Sequence, residues 1–157
     1  MISFQDLNGF RVDLSFTKGE FPIQPMHVLV IAKHENKWLL TKHPKRGLEF
    51  PGGKVEGDET LEAAAIRETI EETNVIIHSL EWFAEYLVHD KKPFCKAVFI
   101  ANVGNINEEG VNFETDGVIW LSSEDLLCCN TLSFHMRDDG MKAILEKVSN
   151  YEGKWNN

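Results

Sequence analysis

The sequence predicts an α/β protein in which a mixed β-sheet is sandwiched between helices. Three observations carry this. Met26 to Ala32 is a near-continuous apolar run, the mark of a strand buried on both faces. The Ala-rich stretch from Thr60 to Asn74 has high helix propensity and lies between strand-like segments. Near the C-terminus, Met141, Ile144, Leu145 and Val148 repeat at i, i+3, i+4, i+7 and give a second helix, capped by Asp138 or Asp139.

The remaining elements follow in chain order. Residues 2–16 read as a hairpin, because the second arm, Phe10 to Phe16, alternates apolar and polar residues and Asn8-Gly9 is a strong two-residue turn signal. Lys18 to Pro25 is a loop with two prolines. Lys33 to Asn36 turns the chain from the first buried strand into a second, Lys37 to Thr41. Lys42 to Leu48 is expected as a loop holding Lys42, His43, Lys45 and Arg46, the densest basic cluster of the chain. It is either a solvated loop or a contact for phosphate or base. Leu48 to Phe50 ends a strand, and Gly52-Gly53 is expected to turn toward the helix. After the helix, Val75 to Val88 reads as a strand that bends or breaks around Ser79 to Glu81. Pro93 to Val103 pairs with it across His89 to Lys92. Gly104 to Thr115 is a polar loop, Asp116 to Leu121 a short strand, and Ser122 to Cys129 a short helix begun by Ser122 or Ser123.

At 157 residues the chain is long enough for one domain, 1–157, with a proper core. Its formal charge of −9 excludes an extended basic groove, so no stable nucleic-acid partner is expected. A nucleotide remains compatible, because bound cations neutralise phosphate locally. Three cysteines, two of them adjacent (Cys128, Cys129), make neither a disulfide framework nor a zinc spacing, and fit packing in a reducing compartment. With no signal peptide and no membrane span, a cytoplasmic location is expected. The oligomeric state is not encoded legibly.

The chemistry gathers between Gly53 and Val75. At about 100° per residue, Glu68, Glu71 and Glu72 share one wedge of the helix with Ala64, and Ala63, Ile66 and Ile70 fall opposite, as a core-facing stripe is expected to. Like charges at i,i+4, here Glu68 and Glu72, destabilise a bare helix by about 0.2–0.5 kcal/mol. A divalent cation reverses that sign, and hard oxygen ligands on a fixed helix suit Mg²⁺ or Mn²⁺. The alternative is a solvated acidic face.

The segment in front favours the metal reading. Gly53, Glu59, Arg67-Glu68, Glu71-Glu72 and Val75 stand in the register of the Nudix hydrolase signature: Gly, five residues, Glu, seven residues, Arg-Glu-U-x-Glu-Glu-x-Gly-U, with U a bulky aliphatic residue. The chain departs from it at Thr69, in place of the first U, and at Asn74, in place of the last Gly. Asn tolerates a left-handed helix C-terminus, so every charged position survives. The resemblance implies an α/β/α sandwich and Mg²⁺- or Mn²⁺-dependent hydrolysis of a diphosphate bond in a nucleotide. By that resemblance, Glu68, Glu71, Glu72 and the Gly53 carbonyl are metal ligands. Arg67 pairs with a glutamate, Glu59, to orient them. Glu56 is a water-mediated ligand or merely a loop glutamate.

The stretch Leu48 to Glu56 is most similar to MutT-type nucleoside triphosphatases, which act on nucleotides such as 8-oxo-dGTP. ADP-ribose hydrolases place a proline about 15 residues past the motif, where this chain has Asp90. The tyrosine typical of dinucleoside polyphosphate hydrolases is absent from positions 91–93. The expected activity is therefore a nucleoside triphosphate pyrophosphohydrolase. The alternatives are an RNA 5′-pyrophosphohydrolase, which the acidic balance disfavours, a hydrolase of another nucleoside diphosphate derivative, and a non-catalytic nucleotide sensor, which would lose metal glutamates. Lys54 and Arg46 are candidate substrate contacts. Phe83, Phe94, Asn130 and Phe134 are unranked candidates for the base. The loop before Trp120 offers Glu108, Glu109, Glu114 and Asp116 as general base, and by the same resemblance Glu114, at the six-residue spacing where MutT-like proteins carry a loop glutamate, is the expected one, with Glu71 next.

Overall fold

The computed structural model describes residues 1–106, 117–133 and 136–149. Glu108, Glu109, Glu114, Asp116 and Phe134 therefore lie outside the described residues. The N-terminal hairpin forms, but its connection spans Asp6 to Phe10 instead of being the two-residue Asn8-Gly9 turn expected, and only Gly9 of that pair takes a positive φ. β1 (Ile2–Gln5) pairs antiparallel with β2 (Arg11–Ser15), and Asp6 closes the turn by accepting from the Asn8 and Phe10 N–H groups at 2.9 Å each. β3 (Pro25–His34) and β4 (Lys37–His43) are joined through Glu35 and Asn36, both at positive φ (50° and 63°), the backbone that a two-residue hairpin turn requires. The basic stretch is less of a loop than expected. β4 continues through His43, and β5 (Gly47–Glu49) pairs back onto it.

Gly52-Gly53 also departs from expectation. It is no turn but the start of a short strand, β6 (Gly52–Lys54), antiparallel to β3. A Cβ on Gly52 would collide with the Val28 carbonyl, so glycine is what lets the two backbones approach this closely. β7 (Val75–Val88) runs unbroken, absorbing its expected bend as register shifts at Ile76/Ile77, Ile77/Ser79 and Trp82/Ala84 against β8 (Phe94–Ile106). β9 (Val118–Ser122) pairs with β4. Among the described residues the sheet runs β1-β2-β7-β8-β3-β4-β5, with β6 on β3 and β9 on β4. The β3–β8 pair is parallel, which makes the sheet mixed.

β3 shows why its sequence is apolar throughout. Val28, Val30 and Ala32 face one core with the first helix, α1 (Leu61–Thr73), and Leu29 and Ile31 face a second core with the last helix, α3 (Asp139–Ser149). The short α2 (Ser123–Cys128) is capped by Ser122 and adds Leu126 to the second core. Asp138 caps α3 by accepting from the Met141 N–H at 2.8 Å, and Met141, Ile144 and Val148 are buried as their spacing predicts.

α1 corrects the helical-wheel expectation. Its buried face is Ala64, Ala65, Glu68, Thr69, Glu72 and Thr73, whereas Ala63 is exposed and Ile66 is 37% exposed. The helix packs on the sheet through its small residues, and the carboxylates lie along that same face rather than opposite it. Hydrophobicity alone misassigns the face, because here the functional side chains and the close approach both need it. Ala65→Leu is accordingly expected to cost about 1–3 kcal/mol by overpacking. Ile66→Ser should stay within about 0.5 kcal/mol. Urea unfolding of the two variants checks the assignment, which fails if the order is reversed.

Candidate active site

α1 is placed by both its ends. The Thr60 hydroxyl accepts from the Ala63 N–H at 3.0 Å. At the far end Asn74 adopts φ 59°, and its N–H reaches the Ile70 carbonyl at 2.8 Å, filling the role of the missing glycine. Thr69 turns its hydroxyl onto the Ala65 carbonyl at 2.8 Å, inside the helix, so it remains apart from the carboxylates.

Glu68 and Glu72 lie against β6. Glu72 accepts from the Gly52 N–H at 3.1 Å, and a Cβ on Gly53 would run into the Glu68 carboxylate. Burial pushes the pKa of both carboxyls up, and their mutual repulsion pushes Glu72 further, to about 8. Two buried carboxyls are thus held together with too little positive charge.

That charge is supplied in part by Arg67. Its Nε and Nη2 form a two-pronged pair with Glu59 at 2.7 and 2.9 Å. Nη1 donates to Glu68 at 3.0 Å and Glu71 at 3.1 Å, and Nη2 also donates to the Lys54 carbonyl at 3.0 Å. The Arg67 hydrogen bonds draw the Glu59 pKa down to about 2, helped by the Glu56 N–H. Glu56 itself is exposed and lies 3.8 Å from Arg67. Among the described residues no three acidic, His or Cys side chains already converge on one point that could hold a metal. Glu71 is turned onto Arg67, which occupies the middle of the acidic group.

On the other side of Gly52 and Gly53 opens a cavity of about 260 Å³. Phe10, His27, Tyr86 and Phe94 give it aromatic walls, and its charged lining is Arg46 and Lys96 with the carboxylates Asp6, Glu49, Asp90 and Asp138. His27 packs on Phe94 with ring centroids 4.6 Å apart. Burial, with the charges of Lys96 and Lys54, pushes the His27 pKa down to about 4, so the ring is neutral at pH 7, and its buried Nδ1 has no hydrogen-bond partner among the described residues. Arg46 reaches the cavity while bonded twice to Glu49, at 2.6 and 3.2 Å.

The other candidates from the sequence scatter. Phe94 lines the cavity, but Phe83 is in the core, edge-on to Phe16 at 5.8 Å. Asn130 is exposed and does not line the cavity, because the chain there is pinned to β5 through Leu48 and Thr131. Lys54 is exposed at the end of β6. Sequence reasoning missed His27, Tyr86, Lys96 and Asp138. Lys96 did leave a signal: it is a lone charge inside the otherwise apolar run from Phe94 to Ala101.

Comparison with known proteins gives the family. Residues 24–144 match the NUDIX domain. A Bacillus subtilis (strain 168) protein named as a candidate 8-oxo-dGTP diphosphatase, YtkD, is 38% identical over 158 residues, covering 99% of both chains. The phosphatase NudJ of Escherichia coli (strain K12) is 26% identical over 140 residues, 80% of this chain and 92% of that one. Among solved structures, the Bacillus subtilis pyrophosphohydrolase BsRppH superposes with a TM-score of 0.87 at 37% identity, covering 96% of this chain and 97% of that one. A Burkholderia pseudomallei MutT Nudix hydrolase shares the fold, at TM-score 0.61 and 22% identity, over 80% of this chain and 98% of that one. With the match reaching from the strand before the glycines to the last helix, the chain belongs to the Nudix hydrolases, enzymes that cleave phosphoric anhydride bonds.

Proposed function

We propose that this chain is a divalent-cation-dependent nucleoside triphosphate pyrophosphohydrolase that releases a nucleoside monophosphate and pyrophosphate. The observation that carries the reading is the junction at Gly52 and Gly53. An aromatic cavity lies on one side of these glycines and the α1 carboxylates on the other. A nucleoside in the cavity directs its phosphates across the glycine backbone toward Glu68 and Glu72, with no Cβ in the way. The name of the 38%-identical relative supports oxidised guanine nucleotides as one substrate group.

The residues fit Mg²⁺ or Mn²⁺. Their donors are carboxylate and carbonyl oxygens, and a cation would counter the burial, and after it the neighbouring carboxylates, that raise the pKa of Glu68 and Glu72. Glu68, Glu72 and the Gly53 carbonyl would hold it, with Glu71 joining on release from Arg67 and Glu56 reaching in from the exposed loop. Bound there, it would neutralise phosphate charge. The chain's own part is positioning. Arg67, braced by Glu59, fixes where Glu68 and Glu71 point, and the cavity sets the distance of the phosphates from them. Glu114 is retained as the proposed general base.

The test is hydrolysis of nucleoside triphosphates in ¹⁸O-labelled water with Mg²⁺. Label in pyrophosphate is expected, from attack on the β phosphorus, with the monophosphate leaving. Label in inorganic phosphate would mean attack on the γ phosphorus and a different substrate pose. Preferential turnover of a triphosphorylated oligoribonucleotide over free nucleotides would move the assignment to RNA 5′ ends.

A further inference from the structure

Glu49 is a buried carboxylate at the glycine junction that belongs neither to the α1 acids nor to their Arg67 brace. It ends β5, is 8% exposed, and lines the cavity together with Gly52 and Gly53. Its carboxylate accepts from Arg46 Nη2 at 2.6 Å and from Arg46 Nε at 3.2 Å, a two-pronged pair like that of Glu59 with Arg67. Among the described residues the Arg46 side chain makes no other hydrogen bond, so Nη1 keeps both of its N–H groups. The backbone beneath is fixed as well. The His43 ring accepts at Nδ1 from the Lys45 and Arg46 N–H groups, at 3.2 and 3.1 Å. Gly47 follows at φ 102°, with no room for a Cβ against the Thr131 carbonyl.

Arg46 thus stands where the cavity meets the α1 carboxylates, within charge range of Glu72 on one side and Lys96 on the other. The rest of the charged lining, Asp6, Glu49, Asp90 and Asp138, is acidic. An anion entering such a cavity needs a cation already in place to meet it. We propose that Glu49 is a positioning residue, holding the Arg46 guanidinium so that Nη1 meets a phosphoryl group crossing Gly52 and Gly53 toward Glu68 and Glu72. An unbraced arginine gives up side-chain freedom when it meets that group, and the brace removes this loss before the substrate arrives. Glu49 occupies the Nε–Nη2 edge of the fork and leaves the opposite edge for the anion.

The inference rests on reading the junction as the path of nucleotide phosphates, and its test separates the two. Binding of inorganic pyrophosphate with Mg²⁺ is measured by calorimetry for wild type, Glu49→Gln, Arg46→Gln and the double variant. The kcat and KM for nucleoside triphosphates are measured beside it, and thermal melts check each fold. Glu49→Gln keeps the side-chain volume but turns an N–H donor toward the guanidinium, so one prong of the fork is lost. It should weaken pyrophosphate binding ~5- to 10-fold and raise KM by a similar factor, with kcat held within ~2-fold. Arg46→Gln should lose as much or more, and the double variant should bind no worse than Arg46→Gln alone. Unchanged binding in Glu49→Gln, additive losses in the double variant, or no pyrophosphate binding by wild type overturns the proposal. Tighter binding in Glu49→Gln overturns it too, since Glu49 would then merely compete with the anion for Arg46. The expected binding pattern in a wild type that hydrolyses no nucleoside triphosphate keeps the brace and overturns the triphosphatase instead.

Discussion

Glu72→Gln is expected to lower turnover by at least ~10²-fold, comparable to removing a main electrostatic contact, while the metal-free protein keeps or gains thermal stability. Glu72 is 7% exposed. Gln can still accept from the Gly52 N–H, so the loss falls on charge rather than on packing. The gain has a pH signature. Folding moves the Glu72 carboxyl from an ordinary value of 4.5 up to about 8. Between those values the folded chain holds more protons than the unfolded one, so this group lowers stability as pH rises through the window. His27 has the opposite sense, since its pKa is depressed from 6.5 to about 4 and it favours the folded state as pH rises through that lower range. The diagnostic quantity is therefore the difference in Tm between Glu72→Gln and wild type in EDTA, which should grow from pH 5 to pH 8. Mg²⁺ should shrink it by stabilising wild type alone. Near-wild-type turnover in Glu72→Gln would remove Glu72 from the site.

Much of this was legible in the sequence, for identifiable reasons. The N-terminal hairpin, the doubly buried β3 and the caps of α1 and α2 are set by local chemistry, and local chemistry can be read off a chain. The charged positions of the motif were legible because their spacing is rigid. The packed face of α1 was not. Ile66 looks more like core than Ala65, but only small residues let the helix close on the sheet and bring Glu72 to Gly52. The cavity was not legible either. Phe10, His27, Lys96 and Asp138 come from four separate segments, and only the sheet order brings them together. Asp138 reads as a helix cap from sequence, which it is, and that reading says nothing of its place at the cavity.

Arg67→Lys is the second large effect. Among the described residues the guanidinium makes five hydrogen bonds, two to Glu59 and one each to Glu68, Glu71 and the Lys54 carbonyl. An ammonium keeps the charge but cannot span Glu59 as a fork while also reaching the α1 carboxylates. Activity is expected to fall ~10- to 100-fold, the range for losing a partner that orients metal ligands, with the Mg²⁺ concentration for half-activation rising. Lost charge is not the cause, so the effect should depend on Glu59. Glu59→Gln alone should produce a similar loss, and the double variant should be little worse than either single one, because both dismantle the same brace. A merely structural Arg67 would lower Tm without moving the Mg²⁺ midpoint. Fully additive losses in the double variant would mean that Glu59 and Arg67 act separately, and that the brace seen at 2.7 and 2.9 Å does not orient the site.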